Sequence, residues 1–184
     1  MQGYFGNFVG GGGIKSIQTF SDNITAGNTT KSVTISSVDV GSAIVFATQD
    51  LRNTVVTYTN YACRWNLTGS TTLTLRRTGT SGSSDTVSGF ILEFEDGIVT
   101  SSNDYTTSLA ASATSATKTI TSVDSSNSII VPYGATQSSG IFSSARPFPY
   151  QAEVGFNSDT EIQTTVTNPQ TSIDIVYGYQ VIEF

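Results

Sequence analysis

The acidic residues at positions 93–96 are the group whose types and spacing come closest to acid–base chemistry. Glu93 and Glu95 are two residues apart, so on a strand their side chains would share one face. Paired carboxylates can exchange protons with a substrate. Glu93 recurs as Glu183 in a matching segment, whereas Glu95 and its neighbour Asp96 do not recur. In a catalytic pair, we would not expect one member to recur at the matching strand end while the other does not. We therefore interpret this cluster as a solvated or interface strand end.

Asp39 and Asp124 are the second acidic candidates, and each follows the dipeptide Ser-Val before a turn-like stretch. One interpretation is a Ca²⁺ ligand in each half of the chain, since carboxylate oxygens are ligands that Ca²⁺ prefers. The other is a turn in which the aspartate accepts a hydrogen bond from the backbone amide two residues on. No second carboxylate lies close to either residue in the sequence, so we favour the turn.

Nucleophilic and metal chemistry have little to build on in this sequence. Cys63 is the only cysteine and there is no histidine, so an intrachain disulfide, a cysteine-based metal site and a Cys–His pair are excluded. Ala152 matches Cys63 in the second half, which indicates a buried apolar filler. We therefore predict no catalytic residue, no metal ligand and no cofactor, and we expect that the protein is not an enzyme.

Aromatic and arginine side chains in predicted loops are the candidates for contact with a partner. Such residues are enriched among the anchors of protein interfaces. Trp65 with Tyr58 and Tyr61 is also the one group suited to stacking on a sugar. The alternative is that these rings cap the open ends of the sheets. The candidate contacts are Tyr58, Tyr61, Arg64, Trp65, Arg146, Phe148 and Tyr150.

Residues 1–13 form a segment unlike the rest of the chain. Tyr4, Phe5 and Phe8 precede four consecutive glycines at positions 10–13. Glycine runs make flexible tethers. We therefore expect an N-terminal arm that presents these three rings to a partner, the alternative being a disordered terminus.

Composition restricts the partners. Charged residues make up 12% of the chain, and 26 serines and 29 threonines give it an uncharged polar character. A net charge of −6 disfavours nucleic acid and anionic membrane as partners, because phosphate contacts need Lys and Arg. No apolar run approaches the roughly 20 residues of a membrane span, and the first 13 residues lack the features of a signal peptide. We therefore expect synthesis in the cytoplasm without export.

The remaining pattern predicts β-strands. Residues 32–35 and 71–75 alternate between polar and apolar side chains, and residues 43–47 form a continuous apolar run, as in a strand buried on both faces. Turn residues separate these short runs, and no stretch has convincing helical periodicity. The sequence therefore predicts an all-β fold built as an antiparallel β-sandwich.

Segments of the first half of the chain recur in the second half. The matches keep their order while the offset rises from 85 to 90, as small loop insertions in a second copy would produce. The matching segments are 34–39 with 119–124, 42–46 with 127–131, 67–73 with 156–162, and 91–94 with 181–184. We therefore predict an arm at 1–13 and two tandem β-sandwich copies, Ig-like or jelly-roll-like, at 14–96 and 97–184.

Four short segments carry a family resemblance. They are IKSIQ at 14–18, TISSVD at 34–39, STTLTL at 70–75 and QVIEF at 180–184. Together they resemble small β-rich virion structural proteins of tailed bacteriophages and prophages.

The resemblance implies a non-enzymatic virion component, either a tail or head–tail accessory protein or a capsid decoration protein. Such a protein would form a homo-oligomer and bind other virion proteins of the capsid, connector or tail through its arm, loops and strand edges. The alternative function is a host-surface glycan-binding module of a phage appendage that uses the loop aromatics.

Overall fold

The computed structural model describes residues 13–50, 63–77, 84–137, 152–167 and 174–184. These residues form twelve β-strands and two short 3-10 turns, with no α-helix in the described ranges. Every recorded strand pairing is antiparallel. The all-β antiparallel character predicted from the alternating pattern is confirmed.

Six strands lie in each half of the chain. Those of the first half are β1 Ile14–Ile24, β2 Thr30–Thr34, β3 Ala43–Asp50, β4 Cys63–Gly69, β5 Thr72–Arg77 and β6 Asp85–Phe94. Those of the second half are β7 Ser101–Leu109, β8 Ser115–Thr119, β9 Ser128–Gln137, β10 Glu153–Ser158, β11 Glu161–Thr165 and β12 Ile175–Glu183. A 3-10 turn precedes β3 at Val40–Ser42 and another precedes β9 at Ser125–Asn127.

The strands form three sheets, one of which crosses from the first half to the second. One three-stranded sheet has the order β1-β6-β3 and another the order β10-β11-β8. The six-stranded sheet has the order β2-β5-β4-β9-β12-β7, so it contains three strands from each half. Its two halves meet where Arg64 of β4 lies opposite Gly134 of β9.

Gly134 makes this join sterically possible. Its φ is +94°, which a glycine adopts without the steric cost that a Cβ imposes. A Cβ built at this position would lie 2.2 Å from the carbonyl oxygen of Cys63. The close approach of β4 and β9 therefore requires glycine at position 134.

Apolar side chains pack between the sheets of each half, and Tyr133 of β9 joins the core of the first half. The first core lies between β1-β6-β3 and β2-β5-β4 and includes Ile24, Val45, Trp65, Leu73, Leu75, Val87 and Ile91. The second lies between β7-β12-β9 and β8-β11-β10 and includes Ile120, Ile162, Tyr179 and Val181. The alternation at 71–75 predicts that Leu73 and Leu75 of β5 face inward. The structure confirms this, because both side chains are buried in the first core.

A third apolar cluster joins the two halves face to face. Ile44, Leu92 and Phe94 of the first half pack against Val131 and Ile182 of the second. The ring of Phe94 also meets that of Phe184 edge-on, with centroids 5.6 Å apart, a geometry worth about 0.5–1.5 kcal/mol beyond area burial. This cluster explains the continuous apolar run at 43–47, because Ala43 and Val45 point into the first core while Ile44 points into the cluster.

One polar contact crosses between the halves within this buried region. The side chain of Gln180 is buried and its amide nitrogen donates to the carbonyl oxygen of Ala43 at 2.7 Å. Because both groups are shielded from water, separating them would leave a buried donor and acceptor unpaired. The contact therefore fixes how the halves sit against each other.

Candidate functional site

Glu93, expected at a solvated or interface strand end, is instead a buried structural carboxylate. Its side chain is 4% exposed. It accepts hydrogen bonds from the backbone amide of Asp39 at 2.9 Å, from Ser16 Oγ at 2.8 Å and from Lys15 Nζ at 3.0 Å. The Asp39 amide, followed by the Lys15 and Ser16 donors, lowers the pKa of the Glu93 carboxyl. The carboxylate replaces its lost hydration with these donors and ties β1 and the turn at Asp39 to β6.

Glu183 makes the same kind of contact at the end of β12. Its carboxylate accepts from the backbone amide of Asp124 at 2.8 Å and from Ser101 Oγ at 3.1 Å. Glu95, by contrast, is exposed beyond the end of β6. The carboxyls of Glu93 and Glu95 therefore occupy different environments and do not form a pair.

Asp39 and Asp124 cap the two 3-10 turns, as the turn interpretation predicted. Asp39 Oδ1 accepts from the amide of Gly41 at 2.9 Å, and Asp124 Oδ1 accepts from the amide of Ser126 at 3.0 Å. The Ser126 donors also lower the pKa of Asp124. Within the described ranges, no three His, Cys, Asp or Glu side chains converge in a way that would hold a metal ion.

Cys63 is buried in the first core, as its interpretation as a filler predicted. Burial raises the pKa of its thiol to about 12. Because the thiolate is the reactive form, the Cys63 thiol is largely unreactive at neutral pH.

A buried ion pair between Arg77 and Asp85 was not predicted from the sequence. Both side chains are nearly inaccessible, and Arg77 Nη1 bonds to Asp85 Oδ2. The guanidinium also donates to the carbonyl oxygens of Asn28 at 2.8 Å and Thr25 at 2.9 Å. The signal was available, because Arg77 follows Leu75 at the inward spacing of β5.

Of the predicted contact residues, the structure describes two, and both lie in β4 rather than in an irregular loop. Alternation along this strand points Trp65 inward, where it is 7% exposed, and places Arg64 on the opposite face. The others lie outside the described residues: Tyr4, Phe5, Phe8, Tyr58, Tyr61, Arg146, Phe148 and Tyr150.

Arg64 lines a polar depression between the two halves, which we call the seam cleft. Its volume is about 310 Å³. Arg64 and Arg76 lie directly opposite each other on β4 and β5. The full lining is Arg64, Asn66, Arg76, Asp104, Tyr105, Thr106 and Tyr133, drawn from β4, β5, β7 and β9.

A chain of hydrogen bonds spans the seam cleft. Arg76 Nη1 donates to Asn66 Oδ1 at 2.7 Å, and Asn66 Nδ2 donates to Asp104 Oδ2 at 3.1 Å. Burial raises the pKa of Asp104, and the Asn66 donor opposes that effect. Tyr133 closes one side, its hydroxyl donating to the carbonyl oxygen of Tyr105 at 3.0 Å. Arg76 is therefore connected through Asn66 to the carboxylate of Asp104.

Arg64 is the unsatisfied member of this group. Its Nε is buried and has no hydrogen-bond partner in the described part of the chain, and burial lowers the pKa of the guanidinium. A second cavity of about 160 Å³ adjoins the cleft and shares Asn66, Asp104 and Tyr133 with it. Trp65 lines that cavity, and its Nε1 is also buried and makes no hydrogen bond to a described residue. Two buried donors thus lie at one boundary between the halves.

An exposed apolar surface lies on the outer face of β1-β6-β3 and extends to Ile129 of β9. The large exposed apolar side chains of the described residues are Ile14 at 48%, Ile17 at 61%, Phe90 at 41% and Ile129 at 41%. Ile17 lies opposite Leu92, and Phe46 opposite Phe90, so these side chains share one face of the sheet. We call Ile14, Ile17, Phe46, Phe90 and Ile129 the apolar surface.

Part of the apolar surface is a groove between the halves. Phe46 and Phe90 stack with ring centroids 5.2 Å apart. Together with Ile129 and Pro132 of β9 they line a groove of about 670 Å³. Since β1 is an edge strand among the described strands of its sheet, the surface combines unburied apolar area with a sheet edge.

The described residues contain no helix that is long and apolar enough to cross a membrane. Comparison of the chain with protein-family models, with curated proteins and with solved structures found no match.

Proposed function

We propose that the protein is a non-enzymatic structural component of a tailed-phage virion, serving as a tail or head–tail accessory protein or as a capsid decoration protein. The observation that carries the proposal is the apolar surface beside the edge strand β1. Exposed apolar patches next to strand edges favour association with another protein chain. The motifs at 14–18, 34–39, 70–75 and 180–184 supply the phage context.

We infer further that the chain is an internal duplication of a jelly-roll-like unit. The order β1-β6-β3 is repeated as β7-β12-β9, and β2-β5-β4 as β8-β11-β10. Individual hydrogen bonds repeat as well: Ile35 N to Thr71 O recurs as Ile120 N to Thr160 O. These offsets of 85 and 89 match those of the sequence repeat, which supports duplication.

Joining through β4 and β9 suits a particle component. The cluster around Phe94 and Phe184, the Gln180 contact and the continuous sheet hold the two units as one block. A rigid block with one apolar surface loses little conformational entropy when it docks. The affinity of such a block for a partner protein would then depend mainly on the contacts of the apolar surface.

The start of the described chain lies beside the apolar surface. The carbonyl oxygen of Gly13 accepts from the amide of Glu95 at 3.1 Å, and Ile14 and Ile17 follow immediately. Residues 1–12, with Tyr4, Phe5 and Phe8, therefore join the chain at this surface. This connectivity supports a joint role for the segment and the surface in assembly.

The glycan-binding alternative finds less support. Its central ring, Trp65, is buried in the first core and presents no open face for a sugar. We therefore propose assembly rather than glycan recognition.

Measuring the native mass of the purified full-length protein tests the role of the surface. We expect a homo-oligomer for the wild type, and dissociation for Ile17→Lys and for Phe90→Asp, because each places a charge in the apolar surface. Asn23→Lys is the matched control, since it adds a charge to an exposed position of β1 roughly 20 Å along the strand. A monomeric wild type at all concentrations, or equal dissociation by the control, would refute assembly through this surface.

A further inference from the structure

We propose that the seam cleft binds a small carboxylate ligand, and that Arg64 is the residue that holds it. This site goes beyond the assembly role and lies apart from the apolar surface. Arg64 lies on β4 at the junction of the two halves, so the ligand would contact both halves.

The first support is the unused donor capacity of Arg64. A guanidinium carries five N–H donors in a fixed fork that matches the two oxygens of a carboxylate. Nε of Arg64 is shielded from water and has no acceptor among the residues that the structure describes. Leaving a buried donor unpaired is unfavourable. A carboxylate that enters beside the guanidinium, with a turn of the side chain that brings Nε to it, would supply the missing acceptor.

The second support is the charge balance of the cleft. Arg64 and Arg76 lie opposite each other, an arrangement of like charges that destabilises neighbouring strands. Among the described residues that line the cleft, Asp104 is the one carboxylate, and through Asn66 it is already connected to Arg76. Two positive groups and one negative group leave a single positive charge, which one monoanionic carboxylate neutralises.

The third support is the size and lining of the cleft. About 310 Å³ lies at the lower limit of typical small-molecule sites, which start near 300 Å³. Tyr105 and Tyr133 supply ring surface, while Asn66 and Thr106 supply polar groups that orient a ligand. Large polyanions are disfavoured by the overall charge of −6. A small organic acid is the class that fits both volume and charge.

Trp65 provides a direct assay because it is the only tryptophan and lines the adjoining cavity. Full-length protein would be titrated with sodium acetate and sodium glucuronate, and with sodium chloride and sodium sulfate at matched ionic strength. We expect saturable changes in Trp65 emission with the two carboxylates, accompanied by a saturable shift of the Arg64 Nε–H resonance in ¹⁵N NMR. Sulfate and chloride should produce neither change.

Variants locate the interaction. Arg64→Lys keeps the charge but loses Nε and the planar fork, so carboxylate affinity should fall about tenfold or more. Lys118→Gln removes a cation on β8 that does not line the cleft, and should bind as the wild type does.

Three results would overturn the proposal. They are an Arg64 Nε–H resonance that carboxylates do not move, an equal response to sulfate, and undiminished affinity in Arg64→Lys. Because the NMR titration uses the wild type, it decides the matter even where a variant fails to fold.

Discussion

The buried ion pair of Arg77 and Asp85 makes a quantitative prediction, because the second half of the protein contains its apolar counterpart. The amide of Arg77 bonds to Thr29 O, and in the second half the amide of Val166 bonds to Thr114 O. Ile175 begins β12 as Asp85 begins β6, and both Val166 and Ile175 are buried in an apolar cluster. Equivalent buried positions are therefore filled by an ion pair in the first half and by two apolar side chains in the second half.

Replacing one partner should be costly, and replacing both should not. Arg77→Val leaves a buried Asp85 without its cation, and Asp85→Ile leaves a buried guanidinium without its anion. Each single change should lower the free energy of unfolding by about 3–5 kcal/mol, whereas exchanging the whole pair for apolar residues is often neutral or stabilising. The double variant should therefore lie within about 1 kcal/mol of the wild type or above it.

Urea unfolding followed by Trp65 emission measures all four proteins in one double-mutant cycle. With singles near 3–5 kcal/mol each and a nearly neutral double, the coupling energy is about 5 kcal/mol or more. The carbonyls of Thr25 and Asn28 lose donors in the double variant, but both residues are exposed and regain water. Singles that cost less than 1 kcal/mol, or a double that costs the sum of the singles, would refute this reasoning.

Three further predictions concern the join, the strand end and the thiol. Gly134→Ala should destabilise the protein by about 2 kcal/mol or more in urea unfolding, because it combines a φ of +94° with a Cβ 2.2 Å from Cys63 O; a neutral result would contradict the tight join. The folded pKa of Glu93 is lowered from 4.5, so its stabilisation is present above that pH and is lost as pH falls through the lowered value. The stability gap between the wild type and Glu93→Gln should narrow from pH 6 to pH 3, and a constant gap would argue against an ionised clamp. Cys63 should react with iodoacetamide at neutral pH at the rate of unfolding; fast labelling of the folded protein would contradict its burial.

How much could be read from the sequence depended on whether the signal was local. The alternation around Leu73 and Leu75 and the apolar run at 43–47 predicted strands correctly, because side-chain period reports directly on burial. The turn at Asp39 is also predictable from local sequence, because the hydrogen-bond partner of its carboxylate is the amide two residues on. These features need no knowledge of distant contacts.

Two of the missed features depend on partners far away in the chain. Glu93 is buried because Asp39 and Lys15 supply its donors from 54 and 78 residues away. The seam cleft brings Asn66 against Asp104 across 38 residues. No local pattern encodes such meetings, so Glu93 was expected at a solvated or interface strand end and Arg64 in a loop.

Locating the protein in an intact particle tests the central claim most directly. Antibody raised against the purified full-length protein, carrying gold and imaged by electron microscopy on phage particles from the producing host, should label a fixed position on the capsid, the head–tail junction or the tail. Labelling at regular, repeated positions is the predicted result. Particles that carry no label, although the same antibody detects the protein in the surrounding lysate, would contradict a structural role in the virion.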